Sequence, residues 1–336
     1  MGSFSSVIGQ RTAKSRIRPL LLGNPEQAYL ITGPEGIGKR LFATAMAKAL
    51  LCEAPNEDGG CGTCGPCRYF AEKTHPDFIH LSPQSGEKMI RVASIRERVV
   101  RDIFMFPQIS NRKIYLIEAD YLNEEGQNAL LKTLEEPPAK AILILTAADT
   151  DRLLDTVVSR SVRISLTPNT EREIIKILKN VKNTDEKDAL PIASLSKGIP
   201  GLALKMADDE SLSEIIEKIA ELLNSLPHIS LSELLTGQFS FFDKNKDRIN
   251  EVFAVMQMGL GDIALLITDQ ATAFLRVIDK RDNMIRMIER KKINVKSVDR
   301  ASVHLAEASR AIRSNYSFET SICSMLLSIR KEFCND

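Results

Sequence analysis

One stretch constrains this chain more than any other: residues 27–40, which read Gln-Ala-Tyr-Leu-Ile-Thr-Gly-Pro-Glu-Gly-Ile-Gly-Lys-Arg. Tyr29, Leu30 and Ile31 form a short apolar run that suits a buried strand. A glycine-rich turn follows from Gly33 to Gly38, and from Lys39 the pattern Leu41-Phe42-Ala43-Thr44-Ala45-Met46-Ala47 is helical. Strand, G-x-x-x-x-G-K turn and helix in that order are the context of a phosphate-binding loop. The glycines let backbone N–H groups curl around a phosphate. The helix N-terminus adds partial positive charge, and Lys39 adds a full one. Gly33, Pro34, Glu35, Gly36, Ile37, Gly38, Lys39 and Arg40 are therefore the candidate nucleotide-contacting residues. The last position departs from the motif. A Ser or Thr hydroxyl belongs there, to hold the Mg²⁺ that bridges the phosphates, and this chain has Arg40. The reading is a phosphate cradle without an efficient magnesium site. The alternative is a loop that only joins strand to helix.

A chain of 336 residues exceeds one ordinary domain and suggests two or three. Lys and Arg number 45 against 44 Asp and Glu, so the net charge is +1. A near-neutral chain is not an electrostatic glove for nucleic acid, and any DNA contact is expected to be local or shared with partners. No charged-then-apolar leader opens the sequence, so a cytoplasmic location is expected. No membrane partner is expected either. The most apolar late stretch, Val252 to Thr268, contains Gln257, Gly259, Gly261 and Asp262 and reads as a buried helix rather than a span.

Four of the six cysteines, Cys52, Cys61, Cys64 and Cys67, fall close together. In a cytosolic chain a clustered set reads as metal ligands rather than disulfides. Four thiolates can close a tetrahedral zinc shell with no open position, which is a structural site. Gly62, Gly65 and Pro66 allow the sharp turns between ligands. An iron–sulfur cluster is the rival, because Cys-x2-Cys-x2-Cys occurs there too, but the Cys-Pro that follows in ferredoxin-type runs is absent.

Downstream, His75-Pro76-Asp77 leads into an expected strand, Phe78 to Leu81, with His75 as a local hydrogen-bonding residue. A helix with apolar positions Ile95, Val99, Ile103 and Phe104 comes next. The strand Lys113 to Ala119 ends in acids, where phosphate-loop enzymes hold Mg²⁺ and aim water. An Asp-Glu pair is expected there, and the chain offers Ile117-Glu118, with Asp120 further on. Glu118 is the candidate acid. Strands at Ala141–Thr146 and Val162–Leu166, alternating with helices, indicate an α/β fold with a parallel sheet covered on both faces.

The phosphate loop, the four-cysteine insert, His75-Pro76-Asp77, the run Asn128 to Pro138 and Ser159-Arg160-Ser161 occur together and in order. In this the chain resembles the clamp-loader family of AAA+ proteins, strongly over residues 5–205 and in outline beyond. The resemblance implies a RecA-like AAA+ domain with a zinc module (1–166, module 52–67), a helical lid (167–208) and an all-α collar for oligomerisation (209–336). It implies that Val7-Ile8-Gly9-Gln10 packs near an adenine, that Thr146 is a sensor of bound nucleotide, and that Arg160 is an arginine finger acting in trans on a neighbouring subunit. The partners implied are other clamp-loader subunits of the DNA polymerase III holoenzyme, of delta and tau/gamma type, with the sliding clamp and primed DNA reached through the complex.

Departures from the family matter as much. Catalytic clamp-loader subunits keep the loop hydroxyl, the acid pair and a lid arginine, and here Arg40, Ile117 and Leu202 stand in those places. The expectation is a subunit that assists ATP-driven clamp loading with little or no hydrolysis of its own, ATP or ADP being a candidate ligand and Zn²⁺ a structural one. Any polymerase label would belong to the assembly. Two alternatives stay open: a catalytically active clamp-loader ATPase, and a zinc-dependent DNA-binding module on a phosphate-loop scaffold. The basic cluster Arg286, Arg290, Lys291, Lys292 and Lys296 reads as a solvated helix end sooner than a DNA contact.

Overall fold

In the computed structural model, which describes residues 3–269, 275–278 and 280–334, the short apolar runs form one five-stranded parallel sheet. Its strands are β1 (Ala28–Thr32), β2 (Phe78–Leu81), β3 (Lys113–Glu118), β4 (Ala141–Ala147) and β5 (Val162–Ser165), in the order β2-β3-β4-β1-β5. Side chains alternate across a strand, and the alternation feeds two cores. Tyr29, Ile31, Ile114, Leu116, Ile142 and Ile144 face one way, onto α1 (Arg11–Leu22), α2 (Lys39–Leu51) and α3 (Gly65–Ala71). Leu30, Tyr115, Ile117, Leu143 and Leu145 face the other, onto α4 (Val92–Ile95), α5 (Glu124–Glu135) and α6 (Asp155–Ser159). Both faces are covered at the centre of the sheet, which is why β1, β3 and β4 are buried almost end to end, whereas the edge strand β5 alternates, burying Ile164 and exposing Arg163 and Ser165.

The helix after β2 differs from its expected register. It starts as α4, widens into a π-helical stretch at Arg96–Arg101 and tightens into a 3₁₀ turn at Asp102–Phe104. Ile95, Val99 and Ile103 are buried, but Phe104 is 67% exposed, followed by the exposed Met105 and Phe106. A π turn takes more residues per turn than an α turn. The four-residue spacing of the first three apolar positions suits it, and Phe104 is rotated out to solvent.

The described residues group into two units, one running to Ile177 with Gly198–Leu202, the other comprising Leu178–Lys197 and the chain from Ala203 onward. Helix α7 (Glu171–Lys182) opens with a Thr170 cap: Glu173 N–H donates to Thr170 Oγ1, and Thr170 N–H donates to the Glu173 carboxylate at 3.0 Å. The second unit is all helix. It comprises α8 (Glu186–Leu195), the body of α9 (Pro200–Ala207), α10 (Glu210–Ser225), α11 (Leu231–Glu233), α12 (Phe239–Lys244), α13 (Ile249–Thr268), α14 (Arg281–Lys291), α15 (Val295–Arg313) and α16 (Phe318–Cys334). Ile215, Ile219, Leu222 and Leu223 of α10 pack with Ile263 and Leu266 of α13 and with Met325, Leu326 and Ile329 of α16. Leu265 turns partly outward.

The stretch Lys246–Thr268 has the length and apolarity to cross a membrane, and half of it is buried inside this unit. Asp262, in its middle, is fully buried and accepts the amides of Arg276, Val277 and Ile278, as a core helix pinning its own following loop does. The basic cluster lies at the end of α14 and the start of α15, with Lys292 as a left-handed cap.

Candidate functional site

The turn between β1 and α2 has the geometry its glycines allow. Gly36 and Gly38 sit at φ +78° and +103°, a region that side chains with a Cβ rarely adopt. Gly201, at the start of α9, closes over the turn: its N–H donates to Gly36 O at 2.9 Å, and a Cβ on Gly201 would lie 2.8 Å from Gly36 Cα. Ile37 is buried in the α2 core and anchors the loop, whereas Pro34 and Glu35 face solvent. Among the described residues the amides of Gly36, Gly38, Lys39 and Arg40 have no protein acceptor. They are the free N–H groups of a helix start, where an anion is favoured. Lys39 Nζ donates to Gly33 O at 2.8 Å and to Pro34 O at 3.3 Å. Burial lowers its pKa, and Asp120, Glu35 and Glu118 oppose that shift.

Strand alternation decides which groups look toward this turn. Glu118 follows Ile114 and Leu116 on the α2 side of the sheet, and Thr146 follows Ile142 and Ile144 on the same side. Register pairs Glu118 with Thr146, and Thr146 with Ile31 of β1. Thr146 is buried. Ile117 points into the opposite core, so position 117 could not present an acid to the turn. Asp120 is spent elsewhere, its Oδ1 accepting the Ala148 amide at 2.7 Å.

Glu118 itself is engaged. His80 Nε2 lies 2.9 Å from its Oε1, and Arg40 Nη1 lies 3.8 Å from the same oxygen. The hydrogen bond from His80, ahead of the charges of Arg40 and Lys39, holds the Glu118 carboxyl below the ordinary carboxylate range against the opposing effect of burial. His80 is a residue the motif reading does not mark. The one signal for it is alternation: it shares a face with Phe78, which packs on the α2 side. The donor set as a whole does not fit Mg²⁺, since a guanidinium stands at the hydroxyl position and Glu118, the acid that ends β3, has two basic partners.

Arg160 caps the C-terminal end of α6. Its Nη2 is 2.9 Å from Glu135 Oε1 at the end of α5, and its Nη1 donates to Thr156 O at 3.2 Å. Its side chain is 36% exposed, so the fork is formed and within reach of solvent. Ser161 Oγ donates to Val157 O, which fixes the turn after it. Leu202, where a lid arginine is expected, is partly exposed. Upstream, Gln10 brackets residue 167: its Nε2 donates to Thr167 O at 2.7 Å and its Oε1 accepts the Thr167 amide at 3.1 Å.

Cys52 caps the end of α2 and Cys64 the start of α3. Cys61 lies in the loop between them and Cys67 within α3. The four Sγ atoms all lie within 4.8 Å of one another, and Cys52 and Cys64 are 3.8 Å apart. The edge of a tetrahedron with Zn–S bonds of ~2.3 Å is about 3.8 Å, so this set fits zinc. The backbone amides of Thr63 and Cys64, with the Thr63 hydroxyl, pull the Cys61 thiol down to about 6. Burial pushes Cys67 up to about 12 and raises Cys52. One thiolate is thus ready to meet a cation, whose charge would draw the protons from the others.

The histidine nearby is not part of this cluster. His75 Nδ1 accepts the Asp77 amide at 3.1 Å, which leaves Nε2 to donate to Ser110 Oγ, and Ser110 in turn donates to Leu51 O at the end of α2. Asp77, fully buried, accepts the amides of Gln108, Ile109 and Ser110 at 2.7, 2.9 and 2.9 Å. His75-Pro76-Asp77 therefore ties the loop before β3 to the helix that carries both the phosphate turn and Cys52.

Comparison with known proteins bears on what this geometry serves. A family model described as DNA polymerase III, delta subunit, matches residues 11–170. The chain is 36% identical over 201 residues to the DNA polymerase III subunit delta' of Pseudomonas aeruginosa, spanning 58% of this chain and 61% of that one. It is 32% identical over 185 residues to the subunit delta' of Escherichia coli, spanning 55% of each. It is 30% identical over 282 residues to the DNA polymerase III subunit tau of Bacillus subtilis, spanning 81% of this chain and 49% of that one. The chain thus covers about half to three-fifths of the length of these curated relatives.

Proposed function

The chain belongs to the clamp-loader family that includes the delta-prime subunits of DNA polymerase III, and from that premise we propose that it completes a neighbouring subunit's ATP site rather than running one of its own. Its first unit is a RecA-like AAA+ domain with a four-cysteine insert, and a helical region follows. The observation that carries the proposal is the donor set at the phosphate turn. Arg40 replaces the metal-binding hydroxyl, Glu118 is the one strand-end acid and is held by His80, and Leu202 replaces the lid arginine. Each change removes a part that hydrolysis needs. None of them touches Arg160.

In this reading Arg160 is the arginine finger. Its guanidinium is a planar fork that now binds Glu135, and on assembly would transfer to the phosphoryl oxygens of ATP held next door, where such a group is worth about 10³–10⁵ in rate. Residues 167–208 would serve as lid and 209–336 as the collar that joins the ring. Cys52, Cys61, Cys64 and Cys67 would hold a structural Zn²⁺, which keeps the end of α2 and the start of α3 together. The partners would be delta- and tau/gamma-type subunits, with the sliding clamp and primed DNA engaged by the whole complex in the cytoplasm.

The test is steady-state ATP hydrolysis by the reconstituted clamp-loader complex with clamp and primed DNA, comparing wild type with Arg160→Ala and assaying the isolated chain alongside. The proposal expects a silent isolated chain and an Arg160→Ala complex that assembles but is slowed by orders of magnitude. Turnover by the isolated chain together with an unaffected Arg160→Ala complex would refute it.

A further inference from the structure

The misfit between Mg²⁺ and the residues around the phosphate turn says how the turn can still hold a ligand. In a phosphate-binding loop the divalent cation is shared between the hydroxyl after the lysine and an acid on a neighbouring strand. Here the first position is Arg40, and the second, Glu118, already has His80 Nε2 at 2.9 Å and Arg40 Nη1 at 3.8 Å. A divalent cation entering between them would meet the charges of Lys39 and Arg40 and would have to displace His80 from Glu118. The positive charge that other loops borrow from a metal is carried by this chain covalently.

The rest of an anion site is intact. The amides of Gly36, Gly38, Lys39 and Arg40 lack protein acceptors among the described residues. Among the described residues Lys39 Nζ donates to the carbonyls of Gly33 and Pro34, acceptors that a phosphate oxygen can replace. The Arg40 side chain is 71% exposed, so its fork is open to a ligand while Glu118 holds it beside the turn. A guanidinium offers several N–H donors in a plane that matches phosphate oxygens two at a time. Glu118 is in turn oriented by His80, which faces it because β2 pairs with β3.

We propose that the Gly33–Arg40 turn binds a polyphosphate chain, such as that of a nucleoside diphosphate or triphosphate, without a divalent metal, with Arg40 in the metal's place and Glu118 and His80 anchoring it. The proposal rests on the phosphate-loop reading and is independent of the role given to Arg160. The test titrates a fluorescent ADP analogue into the full chain, in EDTA and in excess Mg²⁺, with inorganic pyrophosphate as competitor. Wild type is expected to bind saturably in EDTA, at least as tightly as with Mg²⁺. Arg40→Ala should weaken binding roughly tenfold or more, the scale of a charge-assisted pair of contacts. Arg40→Ser, which restores the hydroxyl, should make Mg²⁺ strengthen binding. Both variants change an exposed side chain, and circular dichroism checks that each is folded. Displacement by pyrophosphate supports recognition of the phosphate chain, and failure to displace overturns it. Binding by wild type only when Mg²⁺ is present, or no binding in either buffer, also overturns the proposal. Neither result would alter the Arg160 reading, which is measured on the neighbour's rate.

Discussion

Replacing Asp77 with alanine tests how the site is held in place. The carboxylate is fully buried and accepts three backbone amides, those of Gln108, Ile109 and Ser110, at 2.7–2.9 Å. Each hydrogen bond to a charged group contributes about 1.5–3 kcal/mol. The sum overstates the loss, because Gln108 and Ile109 are exposed and their amides can turn to water. An expected cost is about 3–5 kcal/mol. For a unit of this size each kcal/mol moves the midpoint by roughly 2–4 °C, so the first unit should melt roughly 10 °C lower. Asp77→Asn keeps the shape but offers one carbonyl oxygen and turns an NH₂ toward an amide, and should cost roughly half as much. Because Ser110 also donates to Leu51 O, the loss should reach the end of α2 beside Cys52. The assay is thermal unfolding of the full chain by calorimetry, with hydrogen exchange at Gln108, Ile109 and Ser110. An Asp77→Ala chain that melts with wild type and keeps these amides protected would refute the reasoning.

Three further outcomes follow from the same geometry. Glu135→Gln releases Arg160 from a half-exposed ion pair worth about 0.2–1 kcal/mol, so it should leave the melting temperature nearly unchanged and raise the assembled complex's ATPase rate no more than about fivefold; a fall to the Arg160→Ala level, measured in the same assay, would instead make Glu135 a positioning residue. The purified chain should carry one zinc and no iron by elemental analysis, and Cys61→Ser, or a strong chelator, should remove it and lower the first unit's melting temperature. The folded-state pKa of Glu118 is depressed, so its ionised form contributes stability above the ordinary glutamate pKa that is lost as pH falls through the lower, folded value. The wild-type advantage over Glu118→Gln in melting temperature should therefore be full near neutrality and shrink in acid, below about pH 4.

How much of this is legible in the chain depends on sequence distance. The phosphate turn and the cysteine module are written in consecutive residues, with glycine where φ must be positive and cysteine at the spacing of a closed metal shell. Both can be read without knowing what surrounds them. The central strands β1, β3 and β4 are legible for a similar reason, since burial on both faces leaves nearly unbroken apolar runs. The contacts that qualify the site are not local. His80 reaches Glu118 across 38 residues, Gln10 reaches Thr167 across 157, and Asp77 reaches Gln108 across 31. Gly201 closes on Gly36 only because the backbone of α9 begins there. Phe104 shows the reverse error, a local pattern overruled when a π-helical stretch changed the residues per turn.

The sequence alone determined which chemistry this chain carries: a glycine turn ending in Lys39-Arg40 with no hydroxyl to hold a metal, four clustered thiols, and strands that must be buried on both sides. Those follow from residue type and spacing, which local sterics and burial translate directly into structure. The tertiary structure decided who meets whom. Strand order and register put Glu118 and Thr146 on the face of the phosphate turn and sent Ile117 to the other. Pairing of β2 with β3 gave Glu118 its histidine, and the packing of α5 and α6 gave Arg160 its carboxylate. Partners of that kind are set by the alignment of whole strands and helices, so no single segment contains the information.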